Sequence, residues 1–163
     1  FFIIFCLFYL FSQRNSPMLL HYTYAFSHLN RNKLRGEVAP HKPVLLLAII
    51  DYVEEKLLTE EGREQLKQLI PFRPELQSKF NHRWTKHVHS EVFKPSFVNP
   101  IIHMQNEPFY HLIPYADRVY DGTHSMLAVE SAFQGIQLDS ELMLLIIQQD
   151  TRQQLRQLLI DMI

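Results

Sequence analysis

Ala39-Pro40-His41-Lys42-Pro43-Val44-Leu45-Leu46-Leu47-Ala48-Ile49-Ile50-Asp51 is the stretch that decides how the rest of the chain must fold. Pro43 suits the opening of a helix, where a missing N–H costs nothing, and the apolar run behind it leaves little polar face before Asp51, Glu54 and Glu55. A helix that is apolar on nearly every side belongs in a core. Its entrance is of another kind. The first N–H groups of a helix lack intrahelical partners and carry the positive end of its dipole, so an entrance flanked by His41 and Lys42 suits an anion such as phosphate.

Around that helix there is room for one main domain, since 163 residues can bury a single sizeable core and are too few for two ordinary ones. The formal charge of −1 conceals an uneven distribution. Residues 28–43 carry +3 from Arg31, Lys33, Arg35 and Lys42 against Glu37, and residues 73–94 carry another +3. Residues 115–163 carry −4. Local fields, more than the sum, steer charged partners, so the basic half is where a polyanion would approach.

A single cysteine, Cys6, excludes an internal disulfide framework and fits a reducing compartment, which makes the cytoplasm the expected location. Residues 1–17 form an apolar leader of doubtful origin. It is too short to span a bilayer, lacks preceding bases and has no small-residue cleavage site, so a membrane role is expected only if that leader is genuine. The domain proper is expected at 18–163.

Outward from the central stretch, Leu19, Tyr22, Phe26 and Leu29 recur at helical spacing and predict a first amphipathic helix. It runs into the basic loop 30–36, which reads equally as a solvated turn or a nucleic-acid contact. Residues 59–62 should break the central helix, with a short helix over 64–70. Pro74 can open a basic helix with Leu76, Phe80 and Trp84 on one side and Arg83, Lys86 and His87 on the other. Residues 94–100, with two prolines, should hold neither helix nor strand. The runs 100–104 and 108–114 predict a small hairpin across Gln105-Asn106-Glu107, while 126–136 is open between helix and strand. Two helices close the chain, one from near Asp139 and one with Asp150 and Gln153 spaced as a capping box.

No catalytic constellation emerges. The pool His82, His87, His89, His103 and His111 lacks metal-ligand spacing, and Asn81-His82 has no accompanying metal framework. There is no nucleophile elbow, and the glycines 36, 62, 122 and 135 are isolated. What is left is a binding surface made of the basic loop, the helix entrance, the basic helix and the proline-bounded loop. Lys and Arg would neutralise phosphates while helix N-termini fix register. From composition alone, the apolar loop residues 97–104 read better as the cover of a small core under the hairpin than as a specificity element.

Taken together, residues 36–51 and the block Lys94-Pro95-Ser96-Phe97-Val98-Asn99-Pro100 followed by Phe109-Tyr110-His111-Leu112 resemble the sulfur-binding domain of McrA-like type IV restriction endonucleases. That resemblance implies a domain reading double-stranded DNA whose backbone carries a phosphorothioate. In the family a separate His-Asn-His nuclease domain cuts, and the chain stops where the linker to it should begin. A divalent metal is expected only for that domain, with no cofactor in this chain. By motif, the resemblance carries over His41 and Lys42 as DNA contacts and Pro100 as a wall of the sulfur pocket; the charge and loop reading adds Arg31, Lys33, Arg35, Arg83 and Lys86 as DNA contacts and Pro40, Phe97, Asn99 and His103 as pocket residues. Asn99 stands where some relatives carry tyrosine, and Ile101-Ile102 replace an aromatic pair. Sulfur is more polarisable and a poorer hydrogen-bond acceptor than oxygen, so an apolar recess favours it and offers ordinary phosphate nothing for its lost hydration.

The expected architecture is mainly α (α+β), a compact helical domain with a small antiparallel β-hairpin. The expected role is DNA recognition within a restriction enzyme, alone or as a homodimer. An accessory protein-interaction module of the same fold, without DNA binding, is the alternative.

Overall fold

The computed structural model describes residues 16–163; the apolar leader lies outside the described residues except for its last two positions. The chain is mainly α, with eight α-helices among the described residues and two small two-stranded antiparallel sheets. Helix α1 spans Pro17–Ser27, α2 His41–Lys56, α3 Glu60–Gln65, α4 Glu75–His87, α5 Val98–His103, α6 Met126–Ala132, α7 Ser140–Ile147 and α8 Gln149–Asp161. Strands β1 (Lys33–Leu34) and β2 (Glu37–Val38) form one sheet, and β3 (Tyr110–Pro114) and β4 (Phe133–Leu138) the other. None of the described helices is long and apolar enough to cross a membrane.

Helix α2 is the hub. Every residue from Lys42 to Ile50 is buried, and α3, α4, α5, α7 and α8 all pack against it. Full enclosure explains its lack of a polar face, since each buried Leu or Ile contributes roughly 1.5–3 kcal/mol only when neighbours cover it. Its start differs from expectation. Pro40 is the N-cap and His41 the first helical residue, which makes Pro43 the third; the first turn tolerates it because its N–H would lack a helical partner anyway.

Several local expectations are corrected. The central helix ends before Thr59 as expected, but the short helix after it runs Glu60–Gln65 rather than 64–70; Thr59 caps it, its side chain accepting from the Gly62 N–H at 3.0 Å, with Glu60 and Glu61 placed well for the dipole. Gly62 is held where α2 closes in, since a Cβ there would lie 2.2 Å from the Lys56 carbonyl oxygen. The expected hairpin over 100–114 does not form. Pro95 lies outside any helix and Pro100 falls in the first turn of α5, where proline is harmless, so Val98–His103 is helical. Strand β3 instead pairs with the distant β4, Leu112 opposite Ile136, and Ile136 also bridges to Ile70. The ambiguous stretch 126–136 is both things in turn, helix α6 and then β4, the helix capped by the Ser125 side chain. Helix α8 starts at Gln149 without a side-chain cap, and Asp150 sits in its first turn, so the expected capping box is absent.

The basic loop is itself a hairpin. Arg35 and Gly36 adopt positive φ of 51° and 83° between β1 and β2, the tight-turn geometry that matches strand twist. Arg35 and Lys33 are thereby exposed at its tip and edge.

Candidate nucleic-acid interface

A cleft of about 260 Å³ opens at the N-terminus of α2. Its walls come from four places: Asn30, Arg31 and Asn32 after α1; Ala39, His41 and Lys42 at the start of α2; Phe93; and Asn99, Pro100, His103 and Asn106 from α5 and the turn after it. Among the described residues no carboxylate lines it. Six residues selected from the sequence, Arg31, His41, Lys42, Asn99, Pro100 and His103, thus share one recess although they span over seventy positions.

Each cation in the cleft is held differently. Arg31 donates from Nε to the Ala39 carbonyl at 2.7 Å and from Nη2 to the Met162 carbonyl at 3.0 Å. These are neutral acceptors, so its charge has no carboxylate partner among the described residues. Burial works against that charge and pulls the pKa down, yet a guanidinium stays protonated in proteins. Lys42 is buried, 7% exposed, and its ammonium donates to Glu107 Oε1 at 2.5 Å. The same oxygen accepts the Asn30 backbone N–H at 3.0 Å. Lys42 therefore contributes little net field, and it fixes the 30–32 wall against the turn carrying Glu107.

His41 is a packing residue as much as a polar one. Its ring lies 4.7 Å from Trp84 and 5.9 Å from Phe93, and Nε2–H donates to the Lys94 carbonyl at 2.8 Å. Burial, opposed by that hydrogen bond and aided by the nearby His103, lowers its pKa. A neutral imidazole with its proton on Nε2 is the consistent state. It joins α2, α4 and the 93–94 segment, which explains how an entrance histidine comes to shape the cleft wall.

The other expected site residues are more scattered. Pro40 is buried and lines a neighbouring recess with Glu37, Val88, Ser90 and Met162. Phe97 is buried beneath the cleft, 5.4 Å from Phe80, so it supports the wall from the core side. Lys33, Arg35 and Lys86 are exposed and unpaired among the described residues. Arg83, expected on the outward face of α4, instead makes two hydrogen bonds to Asp51, at 2.6 and 2.8 Å, within a cluster that includes Arg152, Arg156 and Glu54. That cluster ties α4 and α8 to α2 and commits the Arg83 guanidinium to Asp51.

Sequence reasoning passed over Asn30, Asn32, Phe93, Asn106, Glu107 and His124. Asn30 and Asn32 flank Arg31 in the chain, the local signal that places them beside it. Glu107 falls in the expected hairpin turn, and only the packing of that turn against the start of α2 gives it its ammonium partner. His124 is brought to Asn99 by a loop, with Nδ1 and Oδ1 3.1 Å apart.

Chemically, the cleft offers a guanidinium without a carboxylate partner among the described residues, asparagine amides and two imidazoles beside the apolar surfaces of Pro100, Ala39 and Phe93. That is a lining for an anion with a poorly hydrated flank. Among the described residues no three His, Cys, Asp or Glu side chains are grouped as a metal site. No protein-family model matches the chain, and no curated protein is significantly similar to it.

Proposed function

We propose that this chain is a DNA-recognition domain of the type IV restriction kind, which receives a phosphorothioate-bearing backbone in the cleft at the start of α2. The observation that carries this reading is the company Arg31 keeps: a charge without a carboxylate partner among the described residues, beside a helix N-terminus, in a recess walled partly by Pro100 and Phe93. Positive charge draws any phosphate, whereas the apolar wall rewards the softer, less hydrated sulfur. The exposed Lys33 and Arg35 of the β1–β2 hairpin would contact neighbouring phosphates and set register. Arg83 has no part in this interface. Cleavage would belong to a separate nuclease domain.

Electrophoretic shifts on two duplexes of one sequence, one phosphorothioated at a single linkage and one not, test the reading. Tighter binding of the modified duplex is expected at moderate salt. Equal affinity for both overturns sulfur recognition, and no binding to either overturns DNA recognition.

One observation favours the alternative of an accessory, protein-interacting module. Glu107 already satisfies Lys42, which lowers the cleft's net charge. On that reading DNA affinity would be negligible and would carry no salt dependence.

A further inference from the structure

His103 lines the cleft from the end of α5, and the ring of His124 lies 5.5 Å from it. Two imidazoles at that distance resist being charged together. The groups facing them come from every side. Helix α2 supplies Lys42 and His41, and the segment after α1 supplies Arg31. The turn after α5 supplies Glu107, already taken by Lys42 and the Asn30 N–H. On α6, Glu130 is occupied by a two-pronged pair with Arg73. His124's own loop carries Asp121, whose carboxylate accepts the Thr123 N–H. The pair therefore meets the positive charge of Lys42, and among the described residues neither ring hydrogen-bonds a carboxylate.

His124 has a second contact that matters. Its Nδ1 lies 3.1 Å from Asn99 Oδ1, an atom that can only accept, so Nδ1 carries a hydrogen. With its oxygen so engaged, Asn99 keeps both amide N–H donors, and Asn99 lines the cleft.

We propose that the cleft takes its phosphate-type ligand together with one proton, which settles on the His103–His124 pair, and that His124 is a site residue presenting the Asn99 donors. This rests on the reading of the cleft as a phosphate site. In the protein by itself, burial and then the proximity of His124 and Lys42 lower the His103 pKa from the ordinary imidazole value. An anion between Arg31 and His103 reverses the sign of the local field, so imidazolium becomes favourable and a proton is drawn from solvent. A pKa raised by binding strengthens affinity fully at pH below the free-protein value. The gain is lost as pH rises through the bound-state value, so affinity falls with rising pH across that window.

The test is isothermal titration of a singly phosphorothioated duplex into the whole chain, in buffers of differing ionisation enthalpy at several pH values, for wild type, His103→Gln and His124→Gln. Wild type is expected to take up about one proton more than His103→Gln within the window, and its affinity to rise up to about tenfold per pH unit on acidification. His124→Gln should show reduced uptake and weaker binding. Binding that persists with equal proton uptake in all three proteins overturns the proposal and leaves the phosphate reading standing. Absence of duplex binding by wild type at every pH overturns both. Imidazole NMR titration of free and duplex-bound wild type gives a readout independent of the variants. The His103 pKa must rise on binding, and an unmoved value overturns the proposal.

Discussion

Lys42 and Glu107 are 65 positions apart in the chain and 2.5 Å apart in space, an ion pair closed off from solvent at the mouth of the central helix. The ammonium belongs to the first turn of α2, and the carboxylate accepts the Asn30 N–H as well, so one contact joins three segments that wall the cleft. Removing the carboxylate alone leaves a buried charge without a partner. Glu107→Ala is expected to cost about 3–5 kcal/mol in urea unfolding, while the joint replacement Lys42→Met with Glu107→Leu recovers most of it. A single-variant loss below about 1 kcal/mol would show that the pair is open to water.

Arg31 and Arg83 should separate by their salt dependence. Arg31→Met is expected to weaken duplex binding and to reduce the slope of log K against log salt by about 1, one released counterion. Arg83→Met should leave that slope unchanged and lower the unfolding midpoint, because its guanidinium serves Asp51. A matching slope change in both variants would contradict the placement of Arg83 inside the α2–α4–α8 cluster.

Arg35 is poorly suited to its backbone. At φ 51° it occupies the left-handed region in a turn where asparagine followed by glycine is preferred. Arg35→Asn is expected to stabilise the fold by about 0.5–1 kcal/mol and at the same time to remove one phosphate contact. Thermal unfolding and filter binding on the same sample would reveal the opposed effects, and a fall in both would mean the arginine side chain supports the hairpin.

Gly135 lies where β4 meets the Ile70 segment, and a Cβ there would stand 2.8 Å from the Ile70 carbonyl oxygen and 3.0 Å from Leu69 Cβ. Gly135→Ala is therefore expected to force the bridge between Ile70 and Ile136 apart, at a cost of about 1–3 kcal/mol. Amide exchange at Ile70 and Ile136 is the sharper measurement, since protection there should fall before global unfolding changes.

Much of the helical order was readable in the chain because burial imposes a pattern. Leu19, Tyr22 and Phe26 in α1, and Leu76, Phe80 and Trp84 in α4, recur at the helical period and are buried as that period requires. Pairing between strands carries no such local mark. The run holding Tyr110–Pro114 is legible as a strand, but its neighbour in the chain, Val98–His103, is helical, and its partner Phe133–Leu138 begins nineteen residues after Pro114. Proline misled in the same region, since the residue that forbids a helix interior is harmless in a first turn, and Pro100 occupies one.

For the α2 entrance the division is clear. Sequence by itself determined that Val44 to Ile50 must be enclosed, since so continuous an apolar run has no stable exposed form, and that charge gathers at its start. Tertiary structure decided which of those charges are available. Packing places Glu107 against Lys42 and Asp51 against Arg83, and among the described residues leaves Arg31 with carbonyl partners only. Charge pairing depends on distances of a few ångströms between segments far apart in the chain, and nothing in the order of residues encodes those distances until the core has closed.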